Sequence, residues 1–128
     1  MKQLGLWFLE GQSSQRDVIR GARAALEPHE IGVVASHRQP RTEILREAQL
    51  ALQEPEELEA RLPWVLETAQ KLDVRVIVAG RGCAPYEAIR EPLAAAGIRL
   101  YTGLSDPDLF PVVNNKALFT TACQEAGL

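Results

Sequence analysis

Two arginines and a histidine crowd the end of an apolar run, in Ala35-Ser36-His37-Arg38-Gln39-Pro40-Arg41. A guanidinium offers two parallel N–H groups that match a carboxylate or phosphate, so Arg38 and Arg41 are candidates for anion contacts. The plainer alternative is that they are solvated or paired with Glu43. His37 could transfer protons near neutral pH, or simply hydrogen-bond within its loop.

A second polar stretch, Glu10-Gly11-Gln12-Ser13-Ser14-Gln15, follows another apolar run and precedes a helical pattern. Free N–H groups at such a helix start can hold an anion; the competing reading is a turn with an N-cap. A third stretch is Gly80-Arg81-Gly82-Cys83-Ala84. Cys83 near a helix start has the setting of an activated thiol, but no histidine–acid partner can be placed beside it, so a structural cysteine is the stronger reading. Cys123 sits on an apolar helical stripe and reads as core. His29 reads as a surface residue.

Several chemistries are excluded. A dinucleotide site needs G-x-G-x-x-G after the first strand and an acid about 20 residues on; here the loop has Gly11 alone and the second strand ends in Ser36-His37-Arg38. Two histidines and two distant cysteines make neither a zinc pattern nor a disulfide framework. A phospho-acceptor receiver would need an acidic cluster after the first strand, where Glu10 stands alone. The net charge of −3 argues against nucleic acid as a partner. No apolar run is long enough to span a bilayer and the N-terminus lacks a leader's cleavage pattern, so a reducing, cytoplasmic setting is expected.

These loops need a scaffold that brings them together. In the 128-residue chain, strands are expected at 4–9, 31–36, 50–52, 74–79 and 98–103, the third weak and at an edge. Helices are expected between them. The first covers 15–26 with Val18, Ile19, Ala22, Ala25 and Leu26 inward and Ser14 with Asp17 as a capping box. A short one covers 42–47. The stretch 55–72 reads as two helices, with Pro63 as the first residue of the second. A helix starting at Pro85 carries Tyr86, Ile89, Leu93 and Ala96 inward and ends at Gly97. A short helix follows Ser105, and Asn114 caps a last one. Strict β–α alternation predicts a three-layer α/β/α, Rossmann-like open parallel sheet of about five strands. Ligands of such sheets bind beyond the carboxyl ends of the strands, which makes 10–14, 36–41, Gln53-Glu54 and 80–84 the loops to watch.

Three segments together resemble a known family: Trp7-Phe8-Leu9-Glu10-Gly11-Gln12-Ser13-Ser14-Gln15-Arg16-Asp17-Val18, Ala35-Ser36-His37-Arg38, and Asn115-Lys116-Ala117-Leu118-Phe119 with Cys123-Gln124-Glu125-Ala126-Gly127-Leu128. The chain resembles the N-terminal domain of ATP-grasp proteins, the pre-ATP-grasp domain, a group that includes biotin carboxylase, carbamoyl-phosphate synthetase and D-alanine–D-alanine ligase. The first two segments look like an uncharacterised subgroup. The resemblance implies a domain over 1–113 and, over 114–128, a helix leading into an ATP-grasp domain absent from this chain, which then reads as a fragment. It implies that the full-length parent activates a small carboxylate with ATP and Mg through an acyl phosphate, which an amine or other nucleophile attacks. This chain alone carries no catalytic residue and no tightly bound cofactor or metal in that scheme. Lys116 would approach ATP phosphates, or else be an exposed helix-start lysine. Glu10, Gly11, Gln12, Ser13, Ser14, His37, Arg38, Gly80 and Arg81 would wall the substrate site, with Glu10 facing an amino group as in the peptide-forming members. The partner would be the C-terminal ATP-grasp domain, and a face left bare by its absence could make a homodimer. The alternative is a stand-alone, non-catalytic ligand-binding or oligomerisation module.

Overall fold

The computed structural model describes residues 3–11, 13–80, 82–103 and 115–127. Five strands form one sheet: β1 (Gln3–Phe8), β2 (Ile31–His37), β3 (Leu50–Gln53), β4 (Val76–Val78) and β5 (Arg99–Tyr101). Their order is β3-β2-β1-β4-β5 and every pairing is parallel. The largely apolar strands β1, β2 and β4 lie inside the sheet, as burial on both faces requires. The weak third strand is at an edge, as expected.

The chain moves from β1 out to β3, then returns across β1 to β4 and β5. Right-handed crossovers in both directions force the helices onto opposite faces. Thus α1 (Gln15–Leu26) and α2 (Thr42–Leu45) cover one face, and α3 (Leu58–Leu72) and α4 (Arg90–Ala95) the other. Two cores result. Phe8, Ile19, Val33, Ala35 and Ile44 fill one, while Trp7, Val34, Val65, Ala69, Ile77 and Leu93 belong to the other. Successive strand residues alternate between them, Trp7 to one and Phe8 to the next. The expected α/β layers and five-stranded parallel sheet are therefore present.

Local details differ from expectation. Pro63 does not divide two helices: α3 runs unbroken through it. Pro63 faces solvent, where the carbonyl it leaves unbonded can take water, while Val65 and Ala69 pin the inner face. Ser14 adopts helical torsions and its hydroxyl caps nothing, so no capping box forms with Asp17. Val18 and Ala25 lie off the buried face of α1. The helix expected from Pro85 starts as a 3-10 segment, Ala84–Ile89, and becomes α only at Arg90. One α-helix through both would leave the Ala88 carbonyl without its donor, since Pro92 has no N–H. Its end is as expected: Gly97 takes φ +79°, and the Ile98 N–H donates to the Leu93 carbonyl at 2.9 Å, closing a Schellman motif.

The last helix, α5 (Lys116–Glu125), is capped one residue later than expected. The Asn115 side chain accepts from the Ala117 and Leu118 N–H groups at 3.0 and 3.1 Å. No residue of α5 is buried, so Cys123 is half-exposed and not core. A helix face becomes core only when another element covers it, and none among the described residues does. The helix expected after Ser105 and the Asn114 cap lie outside the described residues.

Candidate functional site

The switch in strand order falls between β1 and β4, and the loops after β1, β2 and β4 meet at one rim of the sheet. Gly80 shows how tightly. A Cβ on residue 80 would stand 2.2 Å from the Glu10 carbonyl oxygen and 3.1 Å from the Gly11 Cα. The loops after β1 and β4 touch backbone to backbone, and only glycine permits that approach.

Beyond β1 and β2 lies a polar cleft of about 400 Å³ lined by Glu10, Gly11, Ser13, His37, Arg38 and Arg41, with Gln39 at its margin. The parallel register places the end of β1 beside the end of β2, since Phe8 pairs with Ala35. Glu10 therefore reaches Arg38, which donates from Nε at 2.6 Å and from a terminal nitrogen at 3.2 Å. This two-pronged pair is the strongest form of the contact, and the carboxylate raises the Arg38 pKa, first through the hydrogen bond and then through its charge. The Gln39 N–H donates to His37 Nδ1 at 3.1 Å. The neutral ring therefore carries its proton on Nε2, which lies 3.5 Å from Glu10 Oε1. His37 is buried despite lining the cleft. Arg41 donates to Glu43 at 2.6 Å, which holds the Glu43 carboxyl below its usual range. Both arginines keep further donors free of these carboxylates.

Beneath the cleft is a network centred on Glu54, whose loop was expected at this rim but whose bonds were not. Glu54 has no exposed side-chain surface. Its Oε2 accepts from the Glu10 N–H and from the Ser36 hydroxyl, each at 2.8 Å. Ser36 in turn accepts from the Trp7 indole N–H at 2.8 Å. The other oxygen, Oε1, has no hydrogen-bond partner among the described residues and sits 3.9 Å from Arg61 Nε. Arg61 donates to the carbonyls of Pro55 and Glu56. Tyr86 packs in the same region, and burial raises its phenol pKa. A polar group this deep is stable only when it is hydrogen-bonded, and the two bonds at Oε2 fix where the Glu10 backbone lies. The one signal in sequence was position: Glu54 follows β3 at the same rim.

The sequence-derived residues separate into groups. Glu10, Gly11, Ser13, His37 and Arg38 converge on the polar cleft, with Arg41. Ser14 and Gly80 line an adjoining pocket that shares Gly11. Gln12 and Arg81 lie outside the described residues. Lys116 is exposed on the first turn of α5 and lines neither cavity. Cys83 is half-buried, its Sγ lies 3.6 Å from the Thr102 carbonyl, and burial raises its pKa, the reverse of an activated thiol. Among the described residues no three His, Cys, Asp or Glu side chains gather to hold a metal, and no helix is long and apolar enough to cross a membrane.

No protein-family model and no curated protein matches the chain. Solved structures do. The biotin carboxylase domain of 2-oxoglutarate carboxylase from Hydrogenobacter thermophilus, solved as a dimer with MgADP, ADP and bicarbonate, matches over 100% of this chain with a TM-score of 0.59 and 17% identity. The biotin carboxylase subunit of a pyruvate carboxylase matches over 98%, with a TM-score of 0.59 and 16% identity. The chain has the fold of a segment of biotin carboxylase. It spans 28% of the length of each of those chains and 12% of a complete pyruvate carboxylase from Rhizobium etli, which it matches with a TM-score of 0.54 and 14% identity. The resemblance read from the sequence, to the N-terminal domain of a group that includes biotin carboxylase, is thus met in three dimensions as a Rossmann-like domain.

Proposed function

We propose that this chain is the substrate-side domain of an ATP-grasp ligase, residues 1–113 forming the domain and 114–128 leading into the nucleotide-binding lobes. The observation that carries the reading is the cleft itself: on a biotin carboxylase-like fold, Glu10, His37, Arg38 and Arg41 converge beyond the strand ends, with arginine donors to spare for an anion. A small carboxylate is the ligand such a cleft suits. ATP and Mg, held by further sequence, would supply phosphoryl transfer to that carboxylate. Within this chain Arg38 and Arg41 bind and orient the anion. Glu10 fixes the Arg38 guanidinium, and its oxygens are thereby engaged before any amino group arrives. His37 Nε2 lies 3.5 Å from Glu10 Oε1, beside the pair.

The test uses the parent reading frame. Purified parent protein should consume ATP only with a small carboxylate present, and the 128-residue chain should not turn over at all. Arg38→Gln in the parent should raise KM for the carboxylate at least about tenfold, the loss expected for a charged hydrogen bond, with ATP affinity unchanged. A parent that neither binds nor consumes ATP, or turnover by the short chain alone, would sink this reading.

A further inference from the structure

The polar cleft has an apolar neighbour. A pocket of about 360 Å³ opens on the other side of Gly11, lined by Phe8, Gly11, Ser14, Val18, Val78 and Gly80, with Gln15. The two share Gly11, and the consecutive residues Ser13 and Ser14 divide between them. Val18 is 57% exposed on α1, and Val78 is only half-buried at the end of β4. Each cavity has the size of a small-molecule site. Side by side they offer guanidinium donors at one end and aliphatic and aromatic surface at the other.

We propose that one ligand occupies both: a small carboxylate with an apolar chain or ring, its charged end between Arg38 and Arg41 and its apolar part against Phe8, Val18 and Val78. This rests on the anion reading of the cleft and adds what the anion must carry. The pairing of Glu10 with Arg38 and His37 leaves the cleft suited to a lone anion and not to a zwitterion. Among the described residues the apolar pocket has no charged side chain to match a polar tail, so chain length becomes the basis of selection.

The experiment is a titration of the 128-residue chain, followed by amide NMR shifts, with acetate, butanoate, hexanoate and phenylacetate, and with butanol as the uncharged control. Resonances of Gly11 and Arg38 should move with every acid, and those of Val18 and Val78 with the longer ones. Affinity should rise from acetate to butanoate by about fourfold per methylene, the gain from burying a CH₂ group. Butanol should bind far more weakly than butanoate. Val18→Ser should flatten the chain-length dependence, and Arg41→Gln should weaken all the acids together. Equal affinity along the series, with shifts confined to the arginine side, would overturn the two-pocket inference and leave the anion cleft standing. No shift at the rim with any acid would overturn both.

Discussion

Glu54 is a carboxylate sealed under the rim, and its two bonded donors are the Ser36 hydroxyl and the Glu10 N–H. Removing one donor from such a group costs more than making the bond gained, because the remaining partners stay buried and unpaired. Ser36→Ala strands the Trp7 indole N–H as well as one site on Glu54, and a loss of about 1–3 kcal/mol is expected, read as a lower urea midpoint with an unchanged slope. Glu10, His37 and Arg38 were legible because the ends of successive strands in a parallel sheet share an edge, so strand order alone brings them together. Glu54 was not. Its burial depends on Trp7 and Ser36, which lie in strands far from it in sequence, and nothing local separates a sealed glutamate after an edge strand from a solvated one. Val18 misled for the opposite reason: a valine next to Ile19 reads as core, although the buried arc of α1 takes only Ile19, with Ala22 and Leu26 packed beside it.

At the level of elements, the 3-10 segment and α4 are fastened to β5 by one ionic cluster. Arg90 donates to both oxygens of Glu87 at 2.6 and 2.7 Å and to the Leu100 carbonyl at 2.8 Å, and Thr102 donates to Glu87 at 2.9 Å. The Arg90 hydrogen bond, then that of Thr102, holds the Glu87 carboxyl below its ordinary range. A carboxyl whose pKa is lower in the folded state stabilises the fold above its unfolded pKa of about 4.3 and loses that contribution as pH falls through the folded value. Arg90 is 40% exposed at its side chain, so the gain is discounted to about 0.5–1 kcal/mol. Glu87→Gln should therefore be less stable than the native chain by that amount at pH 7, the gap closing below about pH 4, as urea melts at the two pH values will show. Among the described residues, where strands and helices fall was largely readable, since apolar runs of four to six residues alternate with helical stripes. The behaviour of Pro63 and Pro92 was not, because whether a proline ends, bends or merely decorates a helix is decided by which side faces water.

For the molecule as a whole, α5 carries Leu118 and Phe119 about half exposed and buries nothing, while every other α-helix among the described residues places at least one residue in a core. Under the proposed function that bare face belongs against the next domain. Phe119→Glu should then leave the melting of the 128-residue chain nearly unchanged, within about 0.5 kcal/mol as for other surface changes, and lower the Tm of the longer parent. A concentration-dependent sedimentation coefficient for the short chain that the same substitution abolishes would instead identify a homodimer face.

The contact at Gly80 carries a mechanical meaning. With the Glu10 carbonyl standing where a side chain on residue 80 would be, there is no cushion between the two loops, and neither can shift without pushing its neighbour. The polar and apolar sides of the rim are therefore built as one piece, and a substitution that displaces either loop displaces the other.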